Sequence, residues 1–408
     1  MVLRYRNEKV TRETESSILN TYGRQQISFV RGKGCTVWDS SGREYIDLVA
    51  GIAVNSLGYS HPRLVSAICN QANSVIHTSN LYEIDNQSVL ASRLAAHAQS
   101  AGWKVFFSNS GAEANEAAIK FAFKATGRRK IVSMDNSFHG RTAMTLSVTG
   151  QRKYWSGFEN LLYKDVEWAE YGSAESLREK IDSDTACVMV EPVQGEGGVI
   201  VPGKDYLTQV TEMARKNGTL VIMDEVQTGV GRTGRFFAHL WEEGCRPDII
   251  TMAKALAGGL PIGATLVSGS VASAIRQGDH GSTFGGNPLS TAAANAVLDV
   301  VESSGFMADV SRKGEMLVSG LRRVFEKAQY VHEVRGKGLM IGLDMDSKSA
   351  AGFKSFAFDR GFIVNVTHEH VVRLVPPLVI GVEEIESFLS MARAFASSYV
   401  HAEPASGH

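Results

Sequence analysis

Six short apolar runs, at 105–107, 131–134, 187–190, 220–223, 249–252 and 264–267, alternate with longer stretches of helical spacing such as 112–125 and 204–217. A strand covered on both faces reads as an unbroken apolar run, and a parallel neighbour needs a helical crossover, so the alternation predicts an α/β fold on a largely parallel sheet. Ligand groups in such sheets gather beyond the carboxyl ends of the strands. Ser110, Phe138, Glu191, Asp224 and Lys254 each fall just past a run, and the glycine-rich stretches that follow read as site loops rather than linkers.

Lys254 carries the most chemical information. It follows Ile249-Ile250-Thr251-Met252-Ala253 and precedes the small-residue loop Ala255-Leu256-Ala257-Gly258-Gly259. Burial lowers an amine's pKa, and a partly neutral lysine can attack an aldehyde to form a Schiff base. Thirty positions earlier, Leu220-Val221-Ile222-Met223 ends on Asp224. A carboxylate there can keep a pyridine nitrogen protonated, as pyridoxal phosphate needs to act as an electron sink. Taken singly, the two charges fit an ion pair at the rim of the sheet equally well.

A phosphate-bearing cofactor calls for bare backbone amides at a helix start. Val105-Phe106-Phe107 leads into Ser108-Asn109-Ser110-Gly111-Ala112-Glu113, and Ala117, Ala118, Phe121 and Ala122 continue at helical spacing. Gly111 lets the backbone approach closely. The same Ser-x-x-Glu pattern is also an ordinary capping box that needs no ligand.

Taken together these residues resemble the class III, or omega, aminotransferases of the acetylornithine and ornithine group. The resemblance runs from Gly51-Ile52-Ala53-Val54-Asn55 to Arg373-Leu374-Val375-Pro376-Pro377. It includes Phe138-His139-Gly140-Arg141-Thr142, Glu191-Pro192-Val193-Gln194-Gly195-Glu196-Gly197-Gly198, Asp224-Glu225-Val226-Gln227-Thr228-Gly229 and Gly281-Ser282-Thr283-Phe284-Gly285-Gly286-Asn287-Pro288.

The resemblance implies an aspartate-aminotransferase-like fold (fold type I) and pyridoxal 5'-phosphate in a covalent Schiff base on Lys254, with catalysis by Lys254 and Asp224. Ser110, Gly111, Ala112, Phe138, Glu191, Val226, Gln227 and Thr283 are implied around the cofactor: Gly111 and Ala112 in the phosphate cradle, Phe138 and Val226 on the two faces of the ring, Gln227 at its phenolic oxygen. Thr283 is implied as a phosphate ligand given to the neighbouring subunit of a homodimer with shared active sites. Many relatives carry Thr where this chain has Ala112, so one hydroxyl contact is missing while the amides remain. Arg141, with Ser282 nearby, is implied to hold the substrate's carboxylate, and Arg373 to grip the α-carboxylate of glutamate. Arg373 pairs with Glu196 when an omega-amine is bound. A guanidinium suits both tasks because its fork matches a carboxylate bidentately.

The implied reaction is a ping-pong transamination of N2-acetylornithine with 2-oxoglutarate through pyridoxamine phosphate, giving N-acetylglutamate 5-semialdehyde and glutamate in arginine biosynthesis. Ser79-Asn80-Leu81-Tyr82 and Gly281-Ser282-Thr283 favour acetylornithine. Ornithine, succinylornithine, succinyl-diaminopimelate, carrier-linked aminoadipate semialdehyde and 4-aminobutyrate stay open as alternatives. A binding protein without transaminase activity would need no pair of arginine clamps. A Rossmann dehydrogenase is disfavoured, because no G-x-G-x-x-G opens a helix after the first strand with an acidic residue some twenty positions on.

At 408 residues the chain exceeds one simple core. The resemblance divides it into an N-terminal segment of the small domain (1–50), a large cofactor domain (51–300) and a C-terminal small domain (301–400), with 401–408 a disordered tail. A net charge of −1 provides no field toward nucleic acid or an anionic membrane. Cys35, Cys69, Cys187 and Cys245 show no metal or redox spacing, and no metal is expected. His61, His77 and His139 are expected to cap or pack. No signal core or membrane-length apolar stretch occurs, so a cytoplasmic enzyme is expected.

Overall fold

The computed structural model describes residues 17–98 and 100–399. The tail expected at 401–408 lies outside them. The strands are, in chain order, β1 (Phe29–Lys33), β2 (Thr36–Asp39), β3 (Glu44–Asp47), β4 (Lys104–Ser108), β5 (Lys130–Met134), β6 (Val166–Ala169), β7 (Thr185–Val190), β8 (Leu220–Asp224), β9 (Ile249–Met252), β10 (Gly263–Val267), β11 (Val331–Lys337), β12 (Met340–Met345), β13 (Phe362–Ile363), β14 (Asn365–Thr367) and β15 (Val371–Leu374).

The central sheet has the order β4-β10-β9-β8-β7-β5-β6. Its β6, β5, β7, β8 and β9 pair in parallel, while β10 runs antiparallel to both β9 and β4. All six apolar runs are strands of this sheet. Alternate residues bury on opposite faces: Val188, Val190, Val221 and Met223 join one core, and Cys187, Met189 and Ile222 the other. This two-sided burial explains why the strands read as continuous apolar runs. The reversed β10 brings its N-terminal approach, Leu260-Pro261-Ile262, to the edge where β8 and β9 end, since Ala264 lies opposite Met252 and Gly263 opposite Ser108.

The helix Gly111–Thr126 crosses beneath this sheet. Ser110 caps it by accepting from Glu113 N, and Gly127 ends it in the left-handed region. Its alanine-rich face, with Ala114, Ala117, Ala118 and Ala122, is fully buried. Small side chains there let helix and sheet approach closely, which sets the height of the helix start over the strand ends.

A second core gathers around Phe353, Phe388 and Phe395 and takes in Cys35 and Leu48 from near the N-terminus. The antiparallel sheet β11-β12-β15-β14 covers it, and β13 extends the N-terminal ribbon by pairing in parallel with β3, Phe362 opposite Ile46. All four cysteines are free, Cys69 alone of them exposed. Among the described residues no helix is long and apolar enough to cross a membrane, and no cluster of His, Cys, Asp and Glu could hold a metal ion.

Candidate active site

The carboxyl ends of β4, β5, β7, β8 and β9 surround a cavity of about 460 Å³. Asp224, the last residue of β8, is 3 % exposed. Its Oδ2 accepts from His139 Nδ1 at 2.7 Å and Asn115 Nδ2 at 2.8 Å, and its Oδ1 from Val226 N at 3.0 Å. Three partners from three chain segments hold this carboxylate rigidly against the cavity.

Lys254 starts the turn after β9 with φ +36°, a strained value for a residue with a side chain. It lines the cavity, and Nζ has no hydrogen-bond or ion-pair partner among the described residues. Burial pushes its pKa down, Glu196 opposes this and Arg373 adds to it; the net shift is downward. A desolvated amine of this kind is a competent nucleophile.

Ser110, Gly111 and Ala112 bring the start of the Gly111–Thr126 helix to the same cavity. The Ser110 hydroxyl is engaged as the cap and takes Glu113 N, while the Glu113 carboxylate accepts from Asn109 N rather than closing a box on Ser110 N; the amides of Gly111 and Ala112 precede the first intrahelical bond. A Cβ on Gly111 would stand 2.7 Å from Val226 Cγ1, so only glycine lets the helix start and Val226 share this wall. Phe138 and Val226 supply apolar surface to the lining.

Glu191 is buried at the end of β7, where its carboxylate accepts from the amides of Phe138 (3.1 Å) and Gly195 (3.2 Å). Burial lifts its pKa to about 7. Glu196 lies on the lining and accepts from Arg373 Nη1 at 2.6 Å, while Gln227 Oε1 accepts from the same nitrogen at 3.1 Å. Burial raises the Glu196 pKa, but the charges of Arg373 and Lys254 outweigh it and hold the carboxyl below its ordinary value. Arg373 is fully buried on β15 and stands behind this layer rather than on the cavity surface; its Nη2 has no partner among the described residues.

Arg141 lines the cavity mouth with no ion pair among the described residues. Two expected residues stand apart. Ser282 is off the lining, its hydroxyl accepting from Asn109 Nδ2 at 3.2 Å. Thr283 is exposed and contributes nothing to the cavity of its own chain. Reading the sequence missed Asn115 and gave His139 only a capping or packing role. Asn115 carried a signal, a lone polar residue on the alanine face of the helix; the pairing of His139 with Asp224, 85 positions apart, did not.

The groups suit pyridoxal 5'-phosphate. Asp224 can face a pyridinium nitrogen, the helix start a phosphate, Phe138 and Val226 a flat ring, and Lys254 an aldehyde carbon. On a sheet of this order that combination defines a fold type I pyridoxal-phosphate enzyme. The chain belongs to the class-III aminotransferases: the model of that family, Aminotransferase class-III, matches residues 19–395.

It is 46 % identical over 381 residues to the acetylornithine aminotransferase of Methanothermobacter thermautotrophicus, covering 93 % of this chain and 96 % of the relative. The acetylornithine aminotransferase of Archaeoglobus fulgidus is 47 % identical over 370 residues, 90 % of this chain and 95 % of that one. Among solved structures, the ornithine aminotransferase of Toxoplasma gondii superposes with a TM-score of 0.90 at 32 % identity, covering 95 % of this chain and 94 % of that one. The N-acetylornithine aminotransferase of Stenotrophomonas maltophilia gives 0.81 at 36 % identity, with 94 % and 98 % covered. The protein is thus an aminotransferase, and pyridoxal 5'-phosphate is the cofactor of its class.

Proposed function

We propose that this protein moves the terminal amino group of N2-acetylornithine to 2-oxoglutarate in two half-reactions at one site, yielding N-acetylglutamate 5-semialdehyde and glutamate for arginine biosynthesis. The observation that carries the reading is a pair of arginines of opposite accessibility: Arg141 has no ion pair among the described residues and lines the cavity, whereas Arg373 is masked by Glu196. The names of the relatives support the choice of acetylornithine.

When bound, pyridoxal 5'-phosphate supplies an aldehyde that captures the substrate amine and a protonated ring that accepts the electron pair left on the substrate carbon. The residues do the rest. Lys254 Nζ would hold the cofactor between turnovers and, once freed by the substrate amine, would serve as the base that moves the proton from the amine-bearing carbon. Asp224, fixed by His139 and Asn115, keeps the ring nitrogen protonated. Phe138 and Val226 would cover the ring and exclude water, and Gly111 and Ala112 would present amides to the phosphate. Arg141 binds the acylated substrate's carboxylate while Glu196 neutralises Arg373. When 2-oxoglutarate enters, Glu196 yields Arg373 to its α-carboxylate. One pocket thereby accepts two unlike substrates.

The same reading makes the enzyme a homodimer. Asn80 Nδ2 donates to the carbonyls of Ser282 and Gly285, joining two loops that expose Leu81, Tyr82 and Phe284 beside Thr283. Such clustered apolar exposure suits an interface, and Thr283 would then serve the partner's site. The free thiols suit a reducing cytoplasm. Pairing of β3 with β13 supports a small domain built from both chain ends around the large domain 51–300.

Borohydride reduction of the cofactor-loaded protein tests the assignment of Lys254. The peptide carrying Lys254 should gain the cofactor's mass, and Lys254→Ala protein should gain none; labelling that survives the substitution contradicts it.

A further inference from the structure

Among the described residues no carboxylate pairs with Arg141 to steady its guanidinium. It rests instead on an aromatic ring: its Cζ lies 4.1 Å from the centroid of the Tyr154 ring, against 6.0 Å from that of Phe138. Tyr154 also meets Phe138 edge-on, centroids 5.8 Å apart at 82°. The ring therefore touches both the group facing the cofactor and the group facing the substrate.

This contact is held in place by the backbone. Tyr154 closes the short 3-10 turn Arg152–Tyr154, its amide donating to Gln151 O. Thr149 ties that segment to the Phe138–Arg141 loop from both sides. Its hydroxyl accepts from His139 N at 3.0 Å and donates to Thr145 O at 2.8 Å, with Gly140 O at 3.2 Å as the longer alternative, and its carbonyl accepts from Trp155 Nε1 at 3.0 Å.

The geometry points to Tyr154 as a positioning and specificity-determining residue for the acylated substrate, acting through Arg141; this rests on the reading that Arg141 binds the substrate carboxylate. An aspartate or glutamate in its place would fix Arg141 equally well but would compete for the guanidinium and cancel its charge. A ring face attracts the cation through its quadrupole and accepts none of the fork's in-plane hydrogen bonds. Arg141 thus keeps its in-plane donors open for an arriving carboxylate. Ordering a long side chain in advance lowers the entropy lost on binding, so the benefit falls on substrate affinity rather than on the chemical step.

The test measures single-turnover half-reactions of the cofactor-loaded enzyme with N2-acetylornithine and with glutamate in Tyr154→Leu, Tyr154→Phe and Arg141→Ala, alongside cofactor affinity. Tyr154→Leu should weaken N2-acetylornithine binding roughly tenfold with its saturating rate nearly unchanged. Cofactor affinity and the glutamate half-reaction should move much less, and Tyr154→Phe, which keeps the ring, should behave as the native enzyme. Arg141→Ala must weaken N2-acetylornithine at least as much. If it does not, the role of Arg141 fails and the proposal falls with it. If Arg141→Ala weakens binding but Tyr154→Leu does not, the role of Arg141 stands and that of Tyr154 is overturned. Equal losses with both substrates and cofactor in Tyr154→Leu, or a Tyr154→Phe enzyme as impaired as Tyr154→Leu, also overturn it.

Discussion

Arg373 Nη1 donates to Glu196 Oε1 across 2.6 Å, while the other terminal nitrogen of the same fully buried guanidinium has no acceptor among the described residues. A buried charge left half satisfied is costly unless something else completes it. An incoming α-carboxylate would do so bidentately. Arg373→Gln should therefore raise the KM for 2-oxoglutarate by about a hundredfold, the scale of a lost bidentate charge-assisted contact, and change that for N2-acetylornithine far less. Steady-state kinetics with each substrate varied in turn check this. Parallel increases for both substrates would contradict the division of labour between the two arginines.

The contacts of Asp224 with His139 and Asn115 fix its carboxylate against the cavity, where under the proposed function it would face the pyridine nitrogen. Asp224→Asn keeps the shape but removes the charge that stabilises a protonated ring. Both half-reactions should slow by on the order of a hundredfold or more. His139→Asn, which loosens the carboxylate without removing it, should cost less, roughly tenfold. Stopped-flow rates with N2-acetylornithine and with glutamate measure both. Near-native rates in Asp224→Asn would remove Asp224 from the catalytic role.

Burial raises the Glu191 pKa from an ordinary 4.5 to about 7. In that window the folded protein holds a proton that the unfolded chain has released, so stability falls as pH rises from 4.5 to 7. Below the window the contribution vanishes, and above it the full penalty, roughly 3 kcal/mol, applies. Glu191→Gln carries no such proton. The thermal midpoint of the Glu191→Gln apoprotein, relative to the native apoprotein, should therefore climb across this interval. A constant difference between the two from pH 4.5 to 7 would show that Glu191 does not titrate there.

The central sheet was legible because strands buried on two faces leave an unbroken apolar run, as 187–190 and 220–223 do. The edge strand β6, Val166-Glu167-Trp168-Ala169, was not, because one covered side leaves only a short mixed pattern. Hydropathy carries no direction, so the reversal of β10 was invisible as well, though it delivers Leu260, Pro261 and Ile262 to the cavity. Pairing of β3 with β13 joins residues more than three hundred positions apart, and no local pattern encodes that.

The site divides in the same way. Asp224, Lys254 and Gly111 announce themselves by where they stand relative to strand ends and a helix start. His139 and Tyr154 act through partners brought near only by folding, the one through Asp224 and the other through Arg141. Arg373 by itself reads as one charge in an apolar strand; its pairing with Glu196 came from the resemblance alone, and its full burial emerges only when the second sheet packs on the loop after β7.

The most direct measurement loads the purified protein with pyridoxal 5'-phosphate and follows the loss of the bound cofactor's visible absorbance with N2-acetylornithine, ornithine, succinylornithine, 4-aminobutyrate and lysine. The largest kcat/KM should belong to N2-acetylornithine, and 2-oxoglutarate should restore the absorbance. Faster turnover of another amine, or bleaching by glutamate alone, would contradict the assignment of acetylornithine as the donor.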